Sequence, residues 1–181
     1  MSLHTSPAGE QPAGPRRKTG SFGRLWLPLL GGAFPVLLFD QWSKLYISRH
    51  FALYQTWPVV PNWFNFTYTA NPGAAFSLFA DLPHWLRAAF LCASAMLATL
   101  IVLALLVRGQ DAKLTSWALA LILAGAVGNL IDRLRLGAVI DFIDLHYYSH
   151  HYPVFNLADC AITVGVGLIL LGAIWSKRLV R

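Results

Sequence analysis

Four long apolar stretches divide the chain, at about Leu25 to Ile47, Leu82 to Val107, Leu114 to Leu134 and Phe155 to Trp175. Each is close to the ~20 residues that an α-helix needs to cross a bilayer, so the pattern predicts four transmembrane helices. The segment between the first two has a different period. In Trp63 to Thr69 the rings of Phe64, Phe66 and Tyr68 alternate with Asn65, Thr67 and Thr69, which predicts a strand with one apolar and one polar face. Further aromatics at Phe51, Tyr54 and Trp57 suit the headgroup layer, where amphipathic rings collect. Taken alone, these residues fit an aromatic anchor as well as a platform for a ligand. Asn71-Pro72-Gly73 then gives a turn signal. The expected fold is an all-α integral membrane protein of four transmembrane helices, with a small extracytoplasmic β-sheet platform between helices 1 and 2.

Composition supports lipid as the solvent. Of 181 residues, 56% are hydrophobic and only 12% charged, about half the roughly 25% charged share of an average soluble domain. A water-soluble globule of this size would expose large apolar patches. The net charge of +6 raises nucleic acid as a partner, but the cations sit in small clusters between apolar runs rather than along one face, which disfavours that class. Cys92 and Cys160 lie in different apolar stretches with no metal or redox spacing and read as small buried hydrophobes.

Residues 1–24 are rich in Pro, Gly, Ser and Thr and carry Arg16, Arg17 and Lys18, which predicts a disordered basic tail ahead of one transmembrane domain over residues 25–181. A cleaved signal peptide is the competing reading of a basic segment before an apolar core. No small-x-small site follows Phe39, however, and the sequence continues directly into Asp40 and Lys44. With four spans both termini share a side, and that side collects Arg16, Arg17, Lys18, Arg24, Arg108, Lys113, Lys177, Arg178 and Arg181, nine of the fourteen cations. The positive-inside rule makes it cytoplasmic. The two longer connecting segments, His50 to Asp81 and Arg135 to Val154, then lie outside.

The acidic residues are few and placed unusually. Glu10, Asp81 and Asp111 fall in the tail or loops, whereas Asp40, Asp132, Asp141, Asp144 and Asp159 sit within or at the ends of apolar segments. A charge there is costly unless paired, protonated or facing water, so each is a functional candidate. Asp40 and Lys44 share a helix face in the order that favours an ion pair, and a snorkelling anchor at the end of the span would explain them. In Gly128-Asn129-Leu130-Ile131-Asp132-Arg133, Asn129 and Arg133 share a face that suits a carbonyl-rich ligand, while Asp132 points elsewhere. Gly125 and Gly128 allow a second helix to approach. With Asn156 as N-cap, Asp159 occupies the third helical position, where a carboxylate complements the helix dipole. The loop that follows the third span must return to the fourth on the same membrane face, so Asp141 and Asp159 can meet there. Two close carboxylates share a proton, and such a pair can activate water with one member and protonate a carbonyl with the other.

Rival constellations are weaker. His146 and His150 at i,i+4, with His151, Asp141 and Asp144 nearby, suggest a divalent metal site only if the stretch is helical, and no H-E-x-x-H is present. Ser43 beside Lys44 and Ser149 beside His150 are the nearest offers of a nucleophile with a base, and adjacent residues do not generally form a working dyad.

Five motifs, D-Q-W-S-K at Asp40, N-P-G-A-A-F at Asn71, G-N-L-I-D-R at Gly128, V-I-D-F at Val139 and F-N-L-A-D at Phe155, occur in an order and spacing that resemble the bacterial lipoprotein signal peptidase family, signal peptidase II. The resemblance runs from about Leu25 to Trp175. It implies a multi-pass aspartic endopeptidase of the bacterial inner membrane, with both termini cytoplasmic and the active site at the periplasmic face. Such an enzyme removes signal peptides from prolipoproteins before a cysteine carrying a diacylglyceryl thioether, and requires neither cofactor nor metal. The catalytic pair falls on Asp141 and Asp159. Polar contacts to the signal peptide, or to globomycin-like peptide inhibitors, fall on Asn71, Asn129, Arg133 and Asn156. Asp132 takes a supporting position, and Asp40, Lys44 and Gly73 occupy positions read as structural. Pro72 stands where many members have Thr or Ser, and Asp144 and His146 to Tyr152 align with no family motif. Membrane lipid is the other implied partner. From other function classes, a small proton or ion transporter and a non-catalytic signal-peptide-binding protein are the alternatives. A transporter needs ionisable groups at mid-depth.

Overall fold

The computed structural model describes residues 21–73, 83–108 and 112–178. Most of the expected basic tail, together with Glu10, Asp81 and Asp111, lies outside the described residues.

The first span is a continuous helical rod in three parts: α1 (Ser21–Pro28), one wide π turn (Leu29–Ala33) and α2 (Phe34–His50). Helix thus begins at Ser21, four residues before the apolar stretch. Pro28 and Pro35 bracket the wide turn, and a proline supplies no N–H and crowds the carbonyl one turn back. The remaining spans are α3 (His84–Val107), α4 (Lys113–Leu136) and α5 (Leu157–Arg178). All four rods are long and apolar enough to cross a membrane. Helix α4 ends where Gly137, at φ 72°, takes the left-handed C-cap conformation and returns its N–H to the Arg133 carbonyl.

Helix α4 is the central rod, packed against α2, α3 and α5. Lipid tails are as apolar as the helices, so association rests on close packing rather than on the hydrophobic effect. The seam between α4 and α5 shows this: a methyl group at Gly125 would collide with the Ala158 carbonyl, and one at Gly165 would stand 2.7 Å from the Ala118 carbonyl. Large apolar side chains such as Leu97, Leu100 and Ile101 of α3 and Leu170, Leu171 and Ile174 of α5 face outward.

The sheet is larger than the alternation in the first outer segment predicts. Strands β1 (Thr56–Val60) and β2 (Phe64–Asn71) come from that segment, and β3 (Val139–Tyr147) and β4 (His150–His151) from the second, in the antiparallel order β1-β2-β3-β4. Strand β3 is buried through Val139, Ile140, Asp141 and Phe142, so it has no clean two-residue period to read. The sheet is seated on the helices by Ile47, Ile140 and Phe142, with Phe51, Phe66, Tyr68 and Leu157 around them. After β4 the chain returns along β3: Phe155 accepts from the N–H groups of Phe142 and Ile143 at 3.0 and 2.8 Å and donates to the Ile143 carbonyl. Phe155 is thereby committed to the sheet, and α5 starts at Leu157 rather than at Phe155.

Candidate active site

The return of Phe155 onto β3 carries Asp159, one turn into α5, back beside Asp141. Asn156 sits between them. Its side-chain Nδ2 donates to Asp141 Oδ1 at 2.7 Å, and its main-chain N–H donates to Asp159 Oδ2 at 3.2 Å. The Asp159 N–H donates back to Asn156 Oδ1 at 3.0 Å, closing a capping box. The capping reading of Asp159 and the paired-carboxylate reading therefore describe the same residue.

Each carboxylate has a second amide donor. Asn71, at the end of β2, donates to Asp141 Oδ2 at 3.0 Å, and its own Oδ1 accepts from the Gly73 N–H at 2.9 Å. That acceptor fixes which end of the amide faces the acid. Gly73 is required at this turn: its φ is 90°, and a Cβ would run into Leu91 of α3. Pro72 leaves this geometry intact. On the other side, Asn129 of α4 donates to Asp159 Oδ1 at 2.8 Å. Burial first of all, offset by the Asn71 hydrogen bond and reinforced by the nearby Asp159 charge, raises the Asp141 carboxyl to about 6. Asp141 is 3% exposed, whereas Asp159 is half-buried and lines a cavity of about 330 Å³ with Tyr152, Phe155, Cys160, Thr163 and Val164. An adjoining apolar cavity of about 310 Å³ shares Cys160 and Val164 and continues between α2, α4 and α5.

Asp40 and Lys44 do form an ion pair, at 2.9 Å, but not as a snorkelling anchor. Both are buried, at 0% and 1% exposure, because Lys44 finds two further acceptors inside: Asp132 Oδ2 at 2.9 Å and Asn129 Oδ1 at 3.0 Å. Asp40 meanwhile accepts the Ala158 N–H at 2.9 Å, so a carboxylate on α2 satisfies one of the open donors at the start of α5. Gly128 makes room for this contact, since a Cβ there would lie 2.5 Å from Asp40 Oδ2. Gln41, which sequence reasoning did not single out, joins Asp40, Asp132 and the Gly128 carbonyl at 3.1, 3.3 and 3.2 Å. Asp132 also accepts the Ile140 N–H at 3.3 Å, tying α4 to β3.

The four expected substrate contacts divide. Asn156 is 0% exposed, and its amide serves Asp141, Asn129 and the Ile140 carbonyl. Asn129, buried, serves Asp159, Lys44 and Asn156. These two hold the carboxylates. Arg133 does not accompany Asn129 inward; it is half-buried, with Nη1 at 3.5 Å from the Asn129 carbonyl and no carboxylate partner among the described residues.

The helical premise of a histidine metal site fails. His146 lies on β3 and His150 on β4, and His146 stacks on His151, with ring centroids 4.7 Å apart. His151 Nδ1 contacts Asp144 at 2.8 Å, and Asp144 also accepts from Asn65 and Thr67, both at 3.0 Å. Although burial pushes Asp144 up, these partners hold its carboxyl below the ordinary value. The polar face of β2 thus has a partner that its own alternation did not reveal. Among the described residues no three His, Cys, Asp or Glu side chains converge as metal ligands. The acids of the cluster gather at the end of the bundle that carries the sheet, unlike a relay through mid-depth.

Residues 33–175 match the family model described as signal peptidase (SPase) II. The chain is 42% identical over 168 residues to a lipoprotein signal peptidase of Pseudomonas putida, covering 91% of this chain and 95% of that one. It is 46% identical over 154 residues to that of Paraburkholderia phytofirmans, covering 85% and 88%. A solved structure described as a bacterial membrane enzyme superposes with a TM-score of 0.70 at 29% identity, over 86% of this chain and 90% of that chain.

Proposed function

The chain belongs to the signal peptidase II family, and on that premise we propose that Asp141 and Asp159 are its catalytic carboxylates. It is a multi-pass bacterial membrane protein and an aspartic peptidase that cleaves signal peptides from prolipoproteins. The observation that carries the assignment of the pair is the bridge through Asn156, which donates to both carboxylates and holds them side by side.

In the working cycle Asp141, raised to about 6 in a buried setting, carries the shared proton, and Asp159, open to the cavity, is the base. Asp159 takes a proton from water as its oxygen attacks the scissile carbonyl, and Asp141 donates its proton to the carbonyl oxygen. The tetrahedral intermediate collapses when the carbonyl re-forms, its proton returning to Asp141 while Asp159 protonates the leaving nitrogen. No covalent enzyme intermediate is needed. Asn71 and Arg133, which are less buried than Asn129 and Asn156, contact the substrate backbone.

The substrate is a precursor whose lipobox cysteine carries diacylglycerol. An apolar signal helix and a lipid-bearing cysteine are both retained in the bilayer, so enzyme and substrate meet by lateral diffusion, and the paired apolar cavities beside Asp159 accept the groups flanking the scissile bond. Globomycin-like peptides inhibit by occupying the same contacts. The cationic segments favour an inner-membrane orientation with both termini in the cytoplasm and the pair at the periplasmic face. A gel-shift assay with diacylglyceryl-modified and unmodified precursor tests this reading. Cleavage of the modified form alone is expected; equal cleavage of both contradicts the assignment of the lipid.

A further inference from the structure

Lys44 lies outside the carboxylate pair and was read from sequence as a structural residue. Its surroundings imply more. A Lys ammonium has three N–H donors and no acceptor, and here each donor has one partner: Asp40 and Asp132 at 2.9 Å, and Asn129 Oδ1 at 3.0 Å. Two carboxylates already satisfy the charge, so helix anchoring does not require the third bond. That third bond reaches an amide whose other end donates to Asp159 Oδ1 at 2.8 Å.

We propose that Lys44 is a positioning residue of the reaction, fixing the Asn129 amide in the one orientation that donates to Asp159. The proposal rests on the reading that Asp141 and Asp159 are the catalytic pair. A flipped Asn129 amide would set its NH₂ group against the ammonium and against Asn156 Nδ2, which lies 3.2 Å from Oδ1, and would set its carbonyl oxygen against a carboxylate. Donor would face donor and acceptor would face acceptor in a buried site, where unpaired polar groups are most costly. Without Lys44 the Oδ1 end of the amide keeps only its contact with Asn156, and the orientation rests on that contact and on Asp159 itself.

Lys44 also acts on the pair at longer range. The groups that face Asp141 are Asn71 from β2 and Asn156 and Asp159 from the start of α5, while the Lys44 charge on α2 holds the Asp141 carboxyl down from further off. Loss of that charge moves the titration of Asp141 upward. A residue that only tied α2 to α4 would change stability without lowering kcat at an unchanged KM.

The test compares wild type, Lys44→Met and Lys44→Met/Asp132→Asn in detergent, with kcat, KM, pH profile and melting temperature measured on diacylglyceryl-modified precursor. The single variant leaves Asp40 and Asp132 buried without their cation and loses stability. The double variant removes one charge of each sign and recovers melting temperature, which keeps the test decisive if the single variant does not fold. Expected for the double variant are a kcat at least about tenfold lower and a KM within about twofold of wild type, while in the single variant, which loses the positive charge alone, the kcat/KM limb governed by Asp141 moves to higher pH. Recovery of wild-type kcat together with stability in the double variant overturns the proposal. Asp141→Asn and Asp159→Asn run in parallel. If they are active the catalytic pair itself is wrong, whereas if they are inactive beside a fully active double variant, only the role of Lys44 is wrong.

Discussion

Asn156 and Asp159 hold each other reciprocally at the start of α5, the Asp159 N–H donating to Asn156 Oδ1 at 3.0 Å and the Asn156 N–H donating to Asp159 Oδ2 at 3.2 Å. With the same amide donating to Asp141, one asparagine serves as helix cap and as the link between the acids. Asn156→Ala is therefore expected to do two things at once. Loss of the cap costs about 1 kcal/mol of stability. Loss of the bridge lowers kcat by about 10- to 100-fold, more than so small a destabilisation explains. Melting temperature and kcat measured on the same preparation check this; a variant with normal kcat would show that the bridge is incidental.

The pH dependence follows from Asp141. Its carboxyl is raised to about 6, chiefly by burial, and the proposed cycle uses it in the protonated form. The free-enzyme profile, kcat/KM, should accordingly fall as pH rises through about 6. Asn71 donates to the ionised form and holds the value down, so Asn71→Leu should move this limb to higher pH, and loss of its proposed substrate contact should also raise KM. A limb that stays in place in the variant would separate Asn71 from the acid.

Asp144 offers a contrast, since its carboxyl is held below the ordinary value by Asn65, His151 and Thr67 in spite of burial. Asp144→Ala leaves the buried Asn65 amide without this acceptor and should destabilise the protein by about 1–3 kcal/mol. A depressed carboxyl contributes stability above its unfolded value and loses it as pH falls through the folded one. The stability gap between wild type and Asp144→Asn should therefore close below pH about 4. Thermal unfolding of the two proteins across pH measures it.

Gly128 is the point where α4 meets Asp40. In Gly128→Ala the new methyl would stand 2.5 Å from Asp40 Oδ2, displacing the carboxylate that accepts the Ala158 N–H and pairs with Lys44. A loss of about 1–3 kcal/mol is expected from the forced shift. The same methyl at Gly137, where nothing lies within 4 Å, meets no steric obstacle, and its cost comes only from the φ of 72°.

Much of this site was legible in the residues. The i,i+4 spacing of Asp40 and Lys44, the cap at Asn156 and the alternation in Trp63 to Thr69 all depend on local geometry and correspond to observed features. What local geometry cannot carry is destination. Lys44 turns inward because Asp132 and Asn129, more than eighty positions later, supply acceptors. Strands β3 and β4 were hidden because β3 is buried at successive residues and β4 has only two. The alternation marks a polar face on β2 but names no partner for it; Asn65 and Thr67 meet Asp144 through strand pairing that no single-segment period records.

Single-turnover cleavage of diacylglyceryl-modified precursor by Asp141→Asn and Asp159→Asn tests the central claim most directly. Each substitution keeps the size of the side chain and removes its acid–base function. The account predicts a rate loss of at least about 100-fold in each, with the protein still folded in the membrane and the wild-type rate unchanged by EDTA. Near-normal cleavage by either variant would contradict it.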